Sequence, residues 1–273
     1  MSKKIVPLLI LFIFIYSCSS DPKKTEVETI LPKTEELVAT INYDVVGKLP
    51  HDLSAYTEGL FFYNKQIYES TGAPDNQPQY KTVIGILDTV KGKIDAKIDL
   101  GREYFGEGTV LLNDKIYQLT YKNQIGFIYD AKTYKQISRF SYKNKEGWGL
   151  TTDGTSLIMS EGTNILTYLD PNTLKPTKTI NVTNAGYAED NINELEYIEG
   201  YVYANIWTKN YIVKIDITNG KVVGVMDCSQ LTDEAHSKNP EADVLNGIAY
   251  DPITKRMFVT GKMFPYLFVL KLR

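Results

Sequence analysis

The chain has only two cysteines, Cys18 and Cys228, and only two histidines, His51 and His236, among its 273 residues. That scarcity excludes several kinds of chemistry. With Cys18 in a targeting segment, Cys228 has no partner, so no disulfide staples the fold. A histidine-built zinc site and a Ser-His-Asp triad both need imidazoles that two histidines in unrelated contexts do not supply. Charge of one sign is also lacking: the net charge is −3 and no basic cluster occurs, which argues against nucleic acid as a partner. Neither a Gly-rich phosphate loop nor a contiguous calcium loop is present, so no cofactor and no metal is expected; a structural cation held by loop carboxylates stays open without being predicted.

The chain does contain 43% hydrophobic residues and 20 tyrosines, enough for a sizeable core. Its one long apolar run, residues 5–16, follows Lys3-Lys4 and is about half the length needed to span a bilayer. It ends in Tyr16-Ser17-Cys18, which resembles a bacterial lipobox with Cys18 as the lipidated residue; the alternative is an ordinary secretory signal with an incidental Cys. Residues 1–17 are thus expected to be a lipoprotein signal peptide. Residues 18–38, polar with two prolines, read as a flexible tether, and 39–273 as a single domain.

That domain repeats. Y-T-E-G-L at Glu58, F-G-E-G-T at Glu107, K-E-G-W-G-L at Glu146, I-N-E-L-E-Y at Glu194 and L-N-G-I-A-Y at Asn246 are spaced by 49, 39, 48 and 52 residues. A second marker keeps the same register: Asp88, Asp130, Asp170 and Asp216 each open a turn, the last three 22 to 24 residues after their acidic marker. Between the markers, Val, Ile, Tyr and Phe alternate with polar residues as half-buried strands do, and no helical periodicity appears. A period near 47 with four short strands per unit predicts an all-β, five-bladed β-propeller. The last unit ends before its outer strand, so residues 41–49 are expected to close the ring as an N-terminal strand in the last blade.

In a propeller the innermost strands line the central channel, so the four glutamates and Asn246 should converge on one rim. Burial and mutual repulsion would push at least one carboxyl pKa upward, into the range a general acid/base needs. The competing view is that such glutamates merely anchor backbone N–H groups. Glu146 and Glu194 suit that role better than Glu107, whose flanking Gly106 and Gly108 leave it uncovered and allow a tight turn. The long connections 229–245 and 184–191 should border the same mouth. Trp148 and Trp207 are either inter-blade packing or cavity lining, and Lys262 either neutralises a carboxylate or snorkels.

With these motifs in order, the chain resembles the glutamine cyclotransferase family, whose plant and bacterial members are five-bladed propellers. The resemblance rests on the five marker motifs together with I-Y-E-S-T-G (67–72), Y-Q-L-T-Y-K (117–122), L-I-M-S-E-G-T (157–163), Y-A-N-I-W (203–207) and V-T-G-K-M-F-P (259–265). It implies a glutaminyl-peptide cyclotransferase, a metal-independent aminoacyltransferase that closes an N-terminal glutamine to pyroglutamate and releases ammonia. Glu107 would be the general acid/base, and Glu58, Trp148, Asn193, Asn205, Trp207 and Lys262 would bind substrate. Three positions depart from the family pattern: Glu58 stands in place of Gln, and Tyr121 and Phe264 in place of Trp, which should change the polarity of the cavity. The implied partners are peptides or proteins with N-terminal Gln and a membrane reached through the lipid. The protein is expected to be a monomer in the cell envelope, facing the periplasm or the exterior. The alternative is a catalytically weak propeller that binds peptide N-termini or a protein partner.

Overall fold

Alternating β-branched and aromatic residues dictate strands almost throughout, and the computed structural model, which describes residues 38–273, is nearly all β. These residues belong to one compact unit, Glu35–Arg273. The expected signal peptide, Cys18 and all but the last residue of the tether lie outside the described residues.

Two strands come first, β1 (Ala39–Thr40) and β2 (Tyr43–Pro50). A four-stranded sheet follows in β3 (Thr57–Tyr63), β4 (Gln66–Thr71), β5 (Thr82–Asp88) and β6 (Lys93–Gly101). The next is β7 (Gly106–Leu112), β8 (Lys115–Thr120), β9 (Ile125–Asp130) and β10 (Gln136–Ser141). A third comprises β11 (Leu150–Thr152), β12 (Leu157–Met159), β13 (Ile165–Leu169) and β14 (Pro176–Asn181). Then come β15 (Thr183–Asn184), β16 (Tyr187–Ala188), β17 (Ile192–Ile198), β18 (Tyr201–Ile206), β19 (Tyr211–Asp216) and β20 (Lys221–Asp227). The chain ends with helix α1 (Ser229–Lys238) and β21 (Leu245–Asp251), β22 (Arg256–Gly261) and β23 (Tyr266–Leu272).

The expectation of five like blades is corrected here. Four sheets are four-stranded blades arranged as in a propeller, and the residues of the expected fourth unit lie instead in a seven-stranded sheet. In that sheet β20 pairs in parallel with β1 (Ala39↔Gly224) and with β15 (Thr183↔Lys221), and β16 folds back on β15. The added strands are two residues long and cover an edge that would otherwise expose backbone groups. β2 pairs antiparallel with β23, from Tyr43↔Leu272 to Pro50↔Tyr266, so an N-terminal strand does complete the last four-stranded sheet. The innermost strands β3, β7, β11, β17 and β21 pack side by side, and β21 returns to β3.

A second correction concerns residues 229–238, read as loop but folded as α1. The helix buries Thr232 and packs Leu231 and Ala235 in a cluster with Met226, Cys228 and Phe264, and Glu234 holds Lys48 of β2 at 2.6 Å. The Asp turns form as expected: Asp88, Asp130, Asp170 and Asp216 each accept a backbone N–H two residues on through Oδ1.

The closure carries a buried ion pair. His51 Nδ1 donates to the Phe264 carbonyl at 2.8 Å, and Nε2 lies 3.1 Å from both Glu69 oxygens. Thr57 Oγ1 donates to the same carboxylate at 2.7 Å. Burial pushes the His51 pKa down, but Glu69, with the Phe264 carbonyl and Asp52, offsets this and raises it. An imidazole with acceptors at both nitrogens, a setting that favours its protonated form, thus joins the end of β2, the middle of β4 and the turn before β23.

Candidate active site

The inner strands β3, β7 and β21 carry glycine, and Gly149 stands just before β11, where neighbouring strands approach closely. A Cβ on Gly108 would stand 2.3 Å from the Leu150 nitrogen and 2.6 Å from the Trp148 carbonyl oxygen, and Gly108 N–H donates to that oxygen at 2.7 Å. A Cβ on Gly106 would meet Thr82 and Gln118. Neither residue has a positive φ. The glycines of F-G-E-G therefore serve close packing rather than a tight turn, and Glu107 between them is only 4% exposed. Its backbone is fixed by Ser70 Oγ, which donates to the Glu107 carbonyl at 2.7 Å.

Glu107 lines a cavity of about 250 Å³ together with Tyr56, Glu58, Phe105, Tyr121, Trp148, Asn193, Trp207 and Lys262. Glu58 sits beside it, 1% exposed, with Oε1 2.7 Å from Lys262 Nζ and Oε2 accepting from Asn246 Nδ2 at 3.2 Å. The Glu107 carboxylate accepts no hydrogen bond from the described residues. Burial first, then the Glu58 charge, push the Glu107 pKa well up, with Lys262 acting against them and Glu146 adding to them. Burial also pushes Glu58 up to about 7, against the pull of Lys262. Lys262 is itself buried, which would lower its pKa, but Glu58, Tyr56 and Glu107 hold it above the usual lysine range. Two carboxyls and one ammonium share this buried site, and only Glu58 of the two carboxyls pairs with the ammonium, so both burial and the neighbouring charge disfavour ionisation of Glu107.

The walls are aromatic. Trp148 and Trp207 meet edge to face with centroids 5.7 Å apart, and Trp148 Nε1 donates to Glu146 Oε2 at 2.9 Å. Gly162, at φ +76°, leaves room for the Trp148 indole, which a Cβ there would strike at 2.6 Å. Trp207 is 43% exposed at the mouth, and its backbone N–H donates to the Asn191 carbonyl at 2.8 Å. Phe105 packs between Tyr56 and Tyr121. Asn193 leaves Oδ1 buried without a partner, a polar atom free for a ligand.

The structure thus gathers six of the seven sequence-derived positions at one cavity. Asn205 is not among its lining residues: it is fully buried and its Oδ1 accepts from Gly247 N–H at 2.9 Å, joining β18 to β21. Phe264 is likewise in the core, beside α1, so only Tyr121 of the two Trp departures alters the cavity. Glu194 is an anchor, accepting from Leu60 N–H (3.3 Å) and Ile248 N–H (2.8 Å). Glu146 is partly exposed beside Trp148, with Lys122 3.9 Å away. Sequence reasoning missed Tyr56 and Asp243. The Tyr56 hydroxyl donates to Asp243 Oδ2 at 3.1 Å, and Lys262 Nζ lies 4.5 Å from the centre of the Tyr56 ring. Tyr56 opens the Y-T-E-G-L motif, so its position was recoverable; Asp243 lies in the connection after α1, where no repeat marks it. Among the described residues no three His, Cys, Asp or Glu side chains group as a metal site.

A propeller-like all-β scaffold with a buried carboxyl beside a lysine–carboxylate pair in one small cavity has the make-up of an enzyme site for one small polar group. The glutamine cyclotransferase family model matches residues 10–272, and the chain belongs to that family. It is 37% identical over 232 residues to a glutaminyl-peptide cyclotransferase of Arabidopsis thaliana, covering 84% of this chain and 71% of that protein. The crystal structure of Myxococcus xanthus glutaminyl cyclase superposes with a TM-score of 0.79 at 32% identity, covering 86% of this chain and 98% of that one.

Proposed function

We propose that this protein cyclises N-terminal glutamine to pyroglutamate with release of ammonia, and that Glu107 is its acid/base. The observation that carries the reading is the Glu107 carboxyl at the cavity wall, buried, fixed through its backbone and pushed well above the usual carboxylate range by burial and by Glu58. A cavity of about 250 Å³ is smaller than a drug-sized site, which suits one side chain rather than an extended peptide. The rest of the peptide would leave past Trp207.

The free α-amine attacks the side-chain amide carbon, forming the ring C–N bond while the carbonyl electron pair moves to oxygen. The attacking nitrogen then gives up a proton to one oxygen of Glu107. The other oxygen delivers its proton to the amide nitrogen, and the oxygen electron pair returns as that C–N bond breaks and ammonia leaves. One proton is taken and one given, so Glu107 ends as it began. The Lys262 ammonium faces this space and would stabilise the oxyanion, while the unpartnered Asn193 Oδ1 would accept an N–H of the substrate. Holding both reacting groups of one residue in a small cavity supplies the orientation.

Lipid attachment at Cys18 and location in the bacterial envelope are part of the same proposal and rest on the sequence around residues 1–38; a monomeric state is proposed with them. No metal or cofactor enters the proposed chemistry.

The test is incubation of the protein with a Gln-initiated peptide, following ammonia and the blocked N-terminus by mass spectrometry. Ammonia with a matching loss of NH₃ from the peptide is expected. An Asn-initiated peptide, which would have to close a four-membered ring, should give none. A folded protein that releases no ammonia at mildly alkaline pH would leave the binding module as the working reading.

A further inference from the structure

Glu58 has no part in the proton transfers above, yet it shares the cavity with Glu107 and is one of the most buried carboxyls in the molecule. Both of its oxygens are engaged, Oε1 with Lys262 Nζ at 2.7 Å and Oε2 with Asn246 Nδ2 at 3.2 Å. Asn246 is tied in turn to the Thr57 carbonyl at 2.9 Å. On its other side Lys262 is covered by the Tyr56 ring, whose hydroxyl is anchored by Asp243. The ammonium is thus clamped toward Glu58 from two directions while Glu107 receives no donor.

Resting on the acid/base reading of Glu107, the geometry points to Glu58 as a positioning residue: it engages the Lys262 ammonium as a built-in counter-ion, so that Glu107 meets the substrate as a neutral carboxylic acid rather than as the partner of Lys262. The charges facing Glu107 support this. Glu58 comes from β3, Lys262 from the turn after β22, Asp243 and Tyr56 from the segments before β21 and β3, Glu146 from the segment before β11 and Tyr142 from the segment after β10. Lys262 is the one cation among them, and Lys122 lies beyond Glu146. Neutralising Glu58 leaves Lys262 with Glu107 as its only buried counter-charge in the cavity, and a carboxyl beside an unneutralised ammonium ionises at lower pH.

The experiment is the pH dependence of kcat/KM for a Gln-initiated dipeptide, in the native protein and in Glu58→Gln. One inflection belongs to the peptide amine, the same in every variant, and serves as the reference. The inflection that belongs to Glu107 should move to lower pH by about one unit or more in Glu58→Gln. In the double variant Glu58→Gln/Lys262→Met, where both charges are gone, it should return toward its native position. Should Glu58→Gln fail to fold, Lys262→Met carries the same test with opposite sign, an upward shift. An unmoved inflection, or movement in the wrong direction, overturns the inference. A Glu107→Gln control separates the two claims. If it abolishes activity while Glu58→Gln leaves the profile unchanged, only the role of Glu58 falls; if it leaves activity intact, the reading of Glu107 falls instead.

Discussion

Ser70 Oγ donates a 2.7 Å hydrogen bond to the backbone carbonyl of Glu107, tying the β4 strand of one blade to the residue that carries the acid in the next. Ser70 is held by Gln118 Nε2 at 3.1 Å, and Gln118 Oε1 accepts from Tyr129 at 3.2 Å. Ser70→Ala should lower kcat/KM about fivefold, the effect of one neutral hydrogen bond of roughly 1 kcal/mol. It should also cost about 1–3 kcal/mol of stability, because the Gln118 amide is left buried with one partner fewer. Steady-state kinetics beside urea unfolding checks both.

Gly108→Ala tests the packing explanation of F-G-E-G. A reduced chain entropy in the unfolded state would favour alanine by about 0.4–1 kcal/mol. The clash with Leu150 and Trp148 backbone atoms opposes it, and overpacking of this kind costs about 1–3 kcal/mol. Net destabilisation is the expected outcome in chemical denaturation. A neutral or stabilised variant would show that the strands part without cost.

Trp207 is half in solvent and meets Trp148 edge to face. If the residues after glutamine leave across it, Trp207→Ala raises KM with little change in kcat, the signature of lost uniform binding. The effect should be larger for a tripeptide than for free glutamine. Equal effects on both would remove Trp207 from that role.

The His51–Glu69 pair predicts a pH dependence of stability. The folded pKa of His51 is raised above its ordinary 6.5, so the folded state binds the proton more tightly than the unfolded chain. Its contribution is complete below about pH 6.5 and is lost as the pH rises through the folded value. His51→Gln should be less stable than the native protein by about 3–5 kcal/mol at mildly acidic pH, the cost of breaking a buried pair. The gap should narrow as the pH rises above that window. Thermal melts across the range would show it, and a gap independent of pH would contradict the ionised pair.

Much of this arrangement could be read from the residues alone. The five marker motifs located the inner strands, four of them because a residue followed by glycine recurs where neighbouring backbones nearly touch. The Asp turns fixed the register. The extra strands of the seven-stranded sheet could not be read, since two residues such as Ala39–Thr40 carry no period. Helix α1 was hidden for a related reason: it buries only Leu231, Thr232 and Ala235, has no side-chain N-cap and no acidic residue in its first turn. At the site, Glu107, Glu58 and Lys262 were legible as motif residues. Asp243 was not, because it reaches Tyr56 through a connection that belongs to no repeat.

The measurement that tests the central claim most directly is kcat for ammonia release by Glu107→Gln beside the native protein, with melting curves on both. Glutamine keeps the shape of the side chain and cannot exchange the proton. The account predicts a fall of about 100-fold to 10,000-fold in kcat with the fold intact. An unchanged kcat in a folded Glu107→Gln variant would contradict it and move the acid/base role elsewhere in the cavity.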